Sequence, residues 1–475
     1  MVAEEIMEEE KNISPLIKYS FIYVVATVIG QGMSFAGIIV FTRVMNREDY
    51  GEYSTYYANV SILTVLIGMN LYYALNNAYI EKKDRIKEFR KSVLALSSMI
   101  MVAMTAVIFI AGCLVLKVFS GFVVVMAALH SYGFFVITYK VYSANMENDF
   151  RSKQWLLILP NTLQLLIALG FVLMLPRMSY EARVIGSTIG IGIIASAVYI
   201  RIIREKGKVY NFEFWRYSLS IALPTVLMSL SYMLMQHCDK VMIQKICGSE
   251  DTAVYSVIYY IGYAMVAVDQ SAAPVRQAWV FRKLDGGKMP EAKQIQKCYL
   301  FVMGVLANIL ILTGPEVLKI LAPKEYWRFE YIVPFVLSAC MMVLYKFYVE
   351  VILFFKSNTA LSLNVLFCAL INIGLNAALI PRVGAIAACY TTVVAYGILF
   401  LLTWGLASNY KKGIYSLVYF AVYVTEVTVV AVIYSILYES IVWRYAVLVV
   451  ILVISTVYGW YTRREWKNVY REDCE

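Results

Sequence analysis

Fourteen apolar stretches occupy almost the whole chain between Pro15 and Thr462. Each is close to 20 residues or longer, and about 20 apolar residues carry an α-helix across the ~30 Å hydrocarbon core of a bilayer. Lipid offers no hydrogen bonds to a backbone, so spans of this length must be helical. The sequence therefore predicts an all-α polytopic membrane protein. The spans are expected near residues 15–42, 55–78, 92–116, 118–139, 155–175, 184–203, 217–238, 253–275, 297–320, 331–355, 358–380, 383–407, 414–437 and 443–462.

The first six stretches resemble the next six. Three short motifs recur in the same order at offsets of 198, 197 and 202 positions. The pairs are Lys18-Tyr19-Ser20 with Arg216-Tyr217-Ser218, Arg43-Val44-Met45 with Lys240-Val241-Met242, and Tyr53-Ser54 with Tyr255-Ser256. Internal repeats of this kind are how many transporters build a substrate site that opens to either side of the membrane.

The repeat predicts a modular order along the chain. A tail (1–14) precedes a first six-helix bundle (15–205), and a linker with a second bundle follows (206–407). Two further helices (408–462) and a C-terminal tail (463–475) complete the chain. The third and fourth spans are separated by Lys117 alone, so a long kinked hairpin is an alternative there.

The net charge of +10 is distributed as in a membrane protein. With the N-terminus in the cytoplasm, inside segments hold 29 of the 42 Lys and Arg residues and outside loops hold 12. This asymmetry is typical of the positive-inside rule. It predicts a multi-pass protein of the cytoplasmic membrane with both termini in the cytoplasm, attracted to anionic membrane lipids, and it excludes nucleic acid as the reason for the charge.

The sequence gives little support for a metal site or for redox chemistry. The eight cysteines have no metal-site spacing, and the chain contains two histidines. We therefore expect no cofactor, although a coupling ion of unknown identity is compatible with a transporter.

Several junction motifs resemble one family. The run Arg43-Val-Met-Asn-Arg-Glu-Asp-Tyr-Gly-Glu-Tyr-Ser54 is similar to the junction of helices 1 and 2 in the Wzx-type polysaccharide flippases. These form a branch of the multidrug/oligosaccharidyl-lipid/polysaccharide exporter superfamily. Leu223-Pro224, Asp239-Lys240-Val241-Met242 and Val254-Tyr255-Ser256 resemble the matching junction of the second half. The chain departs from the pattern at Val280, where a proline is expected after Ala278-Trp279.

The resemblance implies a flippase, not an enzyme. It implies alternating-access transport of an oligosaccharide repeat unit, linked to undecaprenyl diphosphate, for cell-surface polysaccharide synthesis. Glycosyltransferases and a polysaccharide polymerase would be partners. A peptidoglycan-precursor flippase and a drug/cation antiporter of the same superfamily are alternatives, although carboxylates are scarce in spans one to six. A polytopic polymerase or glycosyltransferase would need a large catalytic loop or a carboxylate cluster, and the sequence shows neither.

Charged residues within spans are candidates for substrate binding, because burying a charge in a bilayer is costly. Lys346 lies ten residues before Lys356, which puts it roughly 15 Å deep at 1.5 Å per residue. Glu350 follows four residues later on the same helical face, so the two could form a functional site or a structural ion pair. Asp269 and Arg276 share a face of the eighth span near its inner end, where Arg276 could meet a diphosphate. His130, in the middle of the fourth span, is a further cavity candidate, although a packing role is the simpler reading.

A gate is predicted from the repeat. Arg43 and Lys240 occupy equivalent positions at the outer ends of spans one and seven. Two cations that approach each other repel unless an anion lies between them, and Asp239 is the nearest in sequence. We expect Arg43, Asp239 and Lys240 to form a charge cluster in the outward-closed state.

Overall fold

A computed structural model describes residues 32–117, 120–286 and 289–462. The described chain is helical throughout, with fifteen α-helices and short 3₁₀ or π turns. The predicted N-terminal tail, the first part of the first span (15–31) and the C-terminal tail lie outside the described residues. The helices are α1 (Gly32–Val44), α2 (Arg47–Gly68), α3 (Tyr73–Glu81), α4 (Ile86–Phe109), α5 (Gly121–Met146), α6 (Phe150–Met174), α7 (Ser179–Ile203), α8 (Phe212–Ile246), α9 (Ser249–Asp285), α10 (Met289–Leu321), α11 (Ile332–Phe354), α12 (Asn358–Val383), α13 (Ile386–Tyr410), α14 (Leu417–Leu437) and α15 (Ile441–Tyr461).

Thirteen of the described segments are long and apolar enough to span a bilayer, with α2 and α3 together forming one of them. The helix α1 is the described part of the first predicted span. The all-α polytopic fold is therefore confirmed. Around Lys117 the structure has two separate helices: α4 is followed by a π turn (Ile110–Val115), Lys117 has a φ of 52°, and α5 begins at Gly121 under a Ser120 cap.

The largest difference from expectation follows span eight. The sequence predicts a loop at 276–297, but α9 continues to Asp285 and α10 begins at Met289. The charged extension is stabilised by ion pairs, since Arg276 contacts two carboxylates and Lys283 pairs with Glu291. These tertiary contacts offset the low hydrophobicity on which the predicted loop was based.

The chain divides into two compact units between His237 and Cys238, inside α8. Unit 1 ends at His237 and unit 2 begins at Cys238. The predicted bundle boundary near residue 206 rests on sequence repeats, and it stays a prediction.

Close helix packing in unit 1 depends on two glycines of α7. A Cβ at Gly186 would lie 2.5 Å from the Ala168 Cα of α6, and one at Gly190 would lie 2.5 Å from the Gln164 Cα. Small residues four apart let helix backbones approach in membranes, where no hydrophobic force drives helices together. The pair fixes α7 directly against α6.

Unit 2 contains the elements that hold most of the candidate site. Helix α11 is its most buried span, and α9 packs closely against it. A Cβ at Gly262 of α9 would lie 2.6 Å from the Phe335 carbonyl oxygen of α11. By contrast, α15 buries little beyond Arg444 and Leu448 and exposes large apolar side chains, as expected for a lipid-facing helix.

Candidate functional site

Four of the predicted site residues meet in unit 2. Asp269 and Arg276 lie seven residues apart on α9, and Lys346 and Glu350 lie four apart on α11. These spacings bring each pair to one face of its helix. Because α9 packs against α11, the two faces meet and form what we call the charge cluster.

Two bonds of the charge cluster run between the helices. Lys346 Nζ donates to Asp269 Oδ2 at 2.6 Å, and Arg276 Nε donates to Glu350 Oε1 at 2.8 Å. A third lies within α9, where Arg276 Nη1 donates to Asp269 Oδ1 at 2.9 Å. The sequence left open an ion pair between Lys346 and Glu350 along α11, whereas the structure gives each cation a carboxylate on the other helix.

Tyr299 of α10 is a further member that the sequence did not indicate. Its hydroxyl donates to Asp269 Oδ1 at 2.7 Å, and its ring lies 4.4 Å from the Arg276 guanidinium carbon. The Phe347 ring lies 4.8 Å from the same carbon. Aromatic faces of this kind stabilise a desolvated cation.

Exposure distinguishes the two cations. The side chains of Asp269, Arg276 and Glu350 are 0%, 3% and 6% exposed, but that of Lys346 is 16% exposed. Arg276 is held by both carboxylates and two rings, whereas Lys346 has one partner. Although burial opposes its charged form, the carboxylates of Glu350 and Asp269 and the Tyr299 hydroxyl raise the pKa of Arg276 above its ordinary value. Lys346 is therefore the more exposed of the two cations.

The charge cluster brings two basic side chains together with two carboxyl groups. One polar atom remains unsatisfied, since Glu350 Oε2 is buried without a hydrogen-bond partner. Removing one partner of a buried pair costs ~3–5 kcal/mol because it leaves the other charge uncompensated. Such a cluster fixes α9, α10 and α11 together.

Asp239, one of the predicted gate residues, is bound by neutral donors. Tyr255 and Thr392 hydroxyls donate to Asp239 Oδ2 at 2.7 and 2.8 Å, and the Asn376 amide donates to Oδ1 at 2.6 Å. Asn376 Nδ2 also lies 3.3 Å from Asn372 Oδ1, one turn back on α12. Asn372 and Asn376 lie four apart in the sequence, but nothing there indicates that Asn376 binds Asp239.

Lys240 faces aromatic rings. Its amine lies 4.6 Å from the Tyr259 ring centroid and 5.9 Å from that of Tyr260, and the residue is 6% exposed. Arg43 is exposed on α1 and donates to the Ile39 carbonyl at 2.7 Å. The gate of Arg43, Asp239 and Lys240 stays a prediction.

His130 of unit 1 is a packing residue in this structure. It is fully buried, its Nδ1 lies 3.2 Å from the Tyr56 hydroxyl, and its ring stacks on Phe134 at 5.0 Å. These contacts match the simpler reading of a lone histidine within a span.

A second ionic cluster lies in unit 1, and the sequence analysis did not find it. Arg90 pairs with Glu147 and with Glu205, where its Nη2 donates at 2.6 Å, and its Nη1 donates to the hydroxyls of Tyr79 and Ser143 at 2.8 and 2.9 Å. These residues come from the ends of α3, α4, α5 and α7 that are predicted to face the cytoplasm. Their individual loops looked like ordinary positive-inside segments, so only the fold reveals the cluster.

The described residues hold no group of three or more His, Cys, Asp or Glu side chains that could bind a metal ion. The seven cysteines described are free thiols.

Comparison with known protein families identifies the family to which the chain belongs. The sequence profile of the polysaccharide biosynthesis protein family matches residues 16–280, more than half of the chain. The chain belongs to this family. The match confirms the resemblance to Wzx-type flippases and the multidrug/oligosaccharidyl-lipid/polysaccharide exporter superfamily. No curated protein sequence matches the chain.

Solved structures show the same fold at low identity. A structure of the lipid II flippase MurJ in an inward-closed conformation is 14% identical, with a TM-score of 0.68, covering 94% of this chain and 99% of that one. An inward-facing MATE-family multidrug transporter is 13% identical, with a TM-score of 0.57, covering 82% and 96%. A transporter of the superfamily from Pyrococcus furiosus is 14% identical, with a TM-score of 0.56, covering 83% and 96%. The family and the fold are those of transporters and flippases.

Proposed function

We propose that this family member flips a lipid-linked oligosaccharide repeat unit, carried on undecaprenyl diphosphate, to the outer leaflet of the cytoplasmic membrane. The family match supports a role in polysaccharide biosynthesis. The observation that carries the proposal is Lys346, an accessible cation in the middle of the buried helix α11. A cation within a span suits a substrate whose headgroup is an anionic diphosphate.

The transport mode belongs to the same proposal. Alternating access between residues 15–205 and 216–407, as repeats, accounts for the matched motif pairs. The cluster of Arg43, Asp239 and Lys240 would close the outer side. Arg43→Lys should then impair transport if the Arg43 guanidinium binds a carboxylate through two of its nitrogens. Full activity of Arg43→Gln would remove the gate from the proposal.

No cofactor is needed, and a coupling ion is compatible with the mechanism. Glycosyltransferases that build the repeat unit and a polymerase that consumes it are the proposed partners. Both termini in the cytoplasm follow from the charge asymmetry along the chain.

A substrate panel in proteoliposomes tests the proposal. Leaflet accessibility would be measured for fluorescent undecaprenyl-diphosphate oligosaccharide and for the peptide-bearing peptidoglycan precursor. Efflux of a cationic dye under a proton gradient would be measured in parallel. We expect movement of the oligosaccharide lipid alone. Movement of the peptidoglycan precursor alone would indicate a peptidoglycan-precursor flippase, and dye efflux alone would indicate a drug antiporter.

A further inference from the structure

The carboxylate on Lys346 occupies the place that an anionic headgroup would take. Lys346 Nζ has Asp269 Oδ2 as its hydrogen-bond partner at 2.6 Å, and its side chain is the most exposed of the charge cluster. A headgroup that binds Lys346 must therefore displace Asp269. Every anionic ligand must break the pair between Lys346 and Asp269, so the energy of that pair reduces the binding free energy of the ligand.

This cost of breaking the Lys346–Asp269 pair matters in a membrane. Anionic phospholipids are abundant in the cytoplasmic leaflet, and each carries a phosphodiester that could bind an uncovered ammonium. A phosphodiester has one negative charge, whereas a diphosphate diester has two and offers more oxygens to the same cation. A resident carboxylate subtracts the same energy from both ligands, so it leaves the ratio of their affinities unchanged and lowers the occupancy of the weaker one. In a phospholipid bilayer Lys346 then stays paired with Asp269, whereas the diphosphate has enough binding energy to displace the carboxylate.

Asp269 can release Lys346 and still keep other hydrogen-bond partners. Its Oδ1 accepts bonds from Arg276 Nη1 at 2.9 Å and from the Tyr299 hydroxyl at 2.7 Å, while Oδ2 faces Lys346. When Lys346 turns to a ligand, the carboxylate keeps a cation and a hydroxyl donor. A buried carboxylate that lost all its partners would instead resist exchange at a cost of several kcal/mol.

We propose that Asp269 occupies Lys346 when no substrate is bound: it competes for the ammonium, so that singly charged phospholipids do not rest on Lys346 and a lipid-linked diphosphate displaces the carboxylate. The inference rests on the proposed function, which supplies the diphosphate. Arg276 and Tyr299 are positioning residues that hold Asp269 in place.

Binding of fluorescent farnesyl diphosphate to the purified full-length protein in nanodiscs tests the proposal. The nanodiscs contain phosphatidylcholine alone or phosphatidylcholine with 40% phosphatidylglycerol. In the wild type, phosphatidylglycerol should change the Kd by less than about threefold. Asp269→Asn should bind the diphosphate about tenfold more tightly in phosphatidylcholine, since one charge-assisted hydrogen bond no longer competes. Phosphatidylglycerol should then weaken that binding by about tenfold.

Glu426→Gln is the matched control. It neutralises another carboxylate in unit 2, which lies on α14, accepts a bond from Asn308 at 2.7 Å and takes no part in the charge cluster. Its phosphatidylglycerol sensitivity should equal that of the wild type. Equal sensitivity of Asp269→Asn and wild type would overturn the inference.

Tyr299→Phe provides an independent readout if Asp269→Asn does not fold. Without the Tyr299 hydroxyl, Asp269 loses a hydrogen-bond donor and binds Lys346 more strongly, so the diphosphate should bind several-fold more weakly. The ring that stacks on Arg276 remains. Tighter binding would contradict the proposal. If the wild type binds no farnesyl diphosphate, both this inference and the proposed function are overturned. If the wild type flips the oligosaccharide lipid but Asp269→Asn gains no sensitivity to phosphatidylglycerol, the inference alone is overturned.

Discussion

At the scale of single residues, Arg276 is the residue whose loss should most weaken unit 2. Arg276→Gln leaves Asp269 and Glu350 with less compensation, and we expect a loss of ~3–5 kcal/mol in the free energy of unfolding. Chemical denaturation in detergent, followed by tryptophan fluorescence, measures it. Arg382→Gln, which removes an exposed arginine of α12, should change stability by less than about 0.5 kcal/mol. Equal effects of the two substitutions would contradict this account of the charge cluster.

The sequence identified the costly charges but not their partners. Asp269, Arg276, Lys346 and Glu350 were conspicuous because charges within apolar spans are rare. Their pairing across α9 and α11 depends on how those helices pack, which no spacing within one helix encodes. Tyr299 was one of 38 tyrosines, and nothing in the sequence distinguished it from the others. Asp239 was assigned to a gate, and its neutral donors Tyr255, Asn376 and Thr392 could not be predicted from the sequence.

Glu147 should make the stability of unit 1 depend on acid. Burial raises the pKa of this carboxyl, but the hydrogen bond from Tyr79 and the charges of Arg90 and Lys140 lower it overall. A depressed folded pKa means that the stabilisation is fully present above the unfolded pKa and is lost as the pH falls through the folded pKa. The thermal midpoint of the wild type should therefore fall between about pH 5 and pH 3, and Glu147→Gln should show a smaller fall. Parallel curves for the two proteins would exclude Glu147 as a source of acid sensitivity.

At the scale of helices, apolar length was sufficient to predict the spans. Length alone placed both ends of α11 to α15 to within three residues, because a bilayer admits few alternatives to a helix of about 20 residues. It failed where tertiary bonds support charged segments, as in the extension of α9 from Arg276 to Asp285. The ion pairs that stabilise this extension join residues 8 to 74 positions apart.

The contact between α6 and α7 gives a prediction at this scale. Gly186→Ala and Gly190→Ala each place a methyl within 2.5 Å of a backbone atom of α6, so both should separate the helices and lower the thermal midpoint. Gly192→Ala is the matched control on α7, where a Cβ has open space. It should be neutral or slightly stabilising, because alanine is the better helix former. A destabilisation as large as that of Gly186→Ala would argue against close packing as the cause.

At the scale of the whole molecule, the family and the fold agree with the arrangement of charge along the chain. The orientation itself is a prediction. In a variant without native cysteines, a single cysteine at Lys83 should be labelled by an impermeant maleimide only after the membrane is opened. One placed at Arg177 should be labelled in intact cells. The reverse pattern would invert the topology and move the unit 1 ionic cluster to the outer face.

The central claim is that an accessible cation within the membrane, Lys346, binds the diphosphate of a lipid-linked oligosaccharide during its transfer between leaflets. The most direct measurement is the initial rate of flipping of fluorescent undecaprenyl-diphosphate oligosaccharide in proteoliposomes that contain the wild type, Lys346→Gln or Lys356→Gln. The second variant removes the same charge from an exposed lysine just beyond the end of the same helix, at matched reconstitution levels. The account predicts that Lys346→Gln lowers the rate by at least about tenfold, the loss of one charge-assisted hydrogen bond, while Lys356→Gln stays within about twofold of the wild type. Wild-type flipping by Lys346→Gln would contradict the claim.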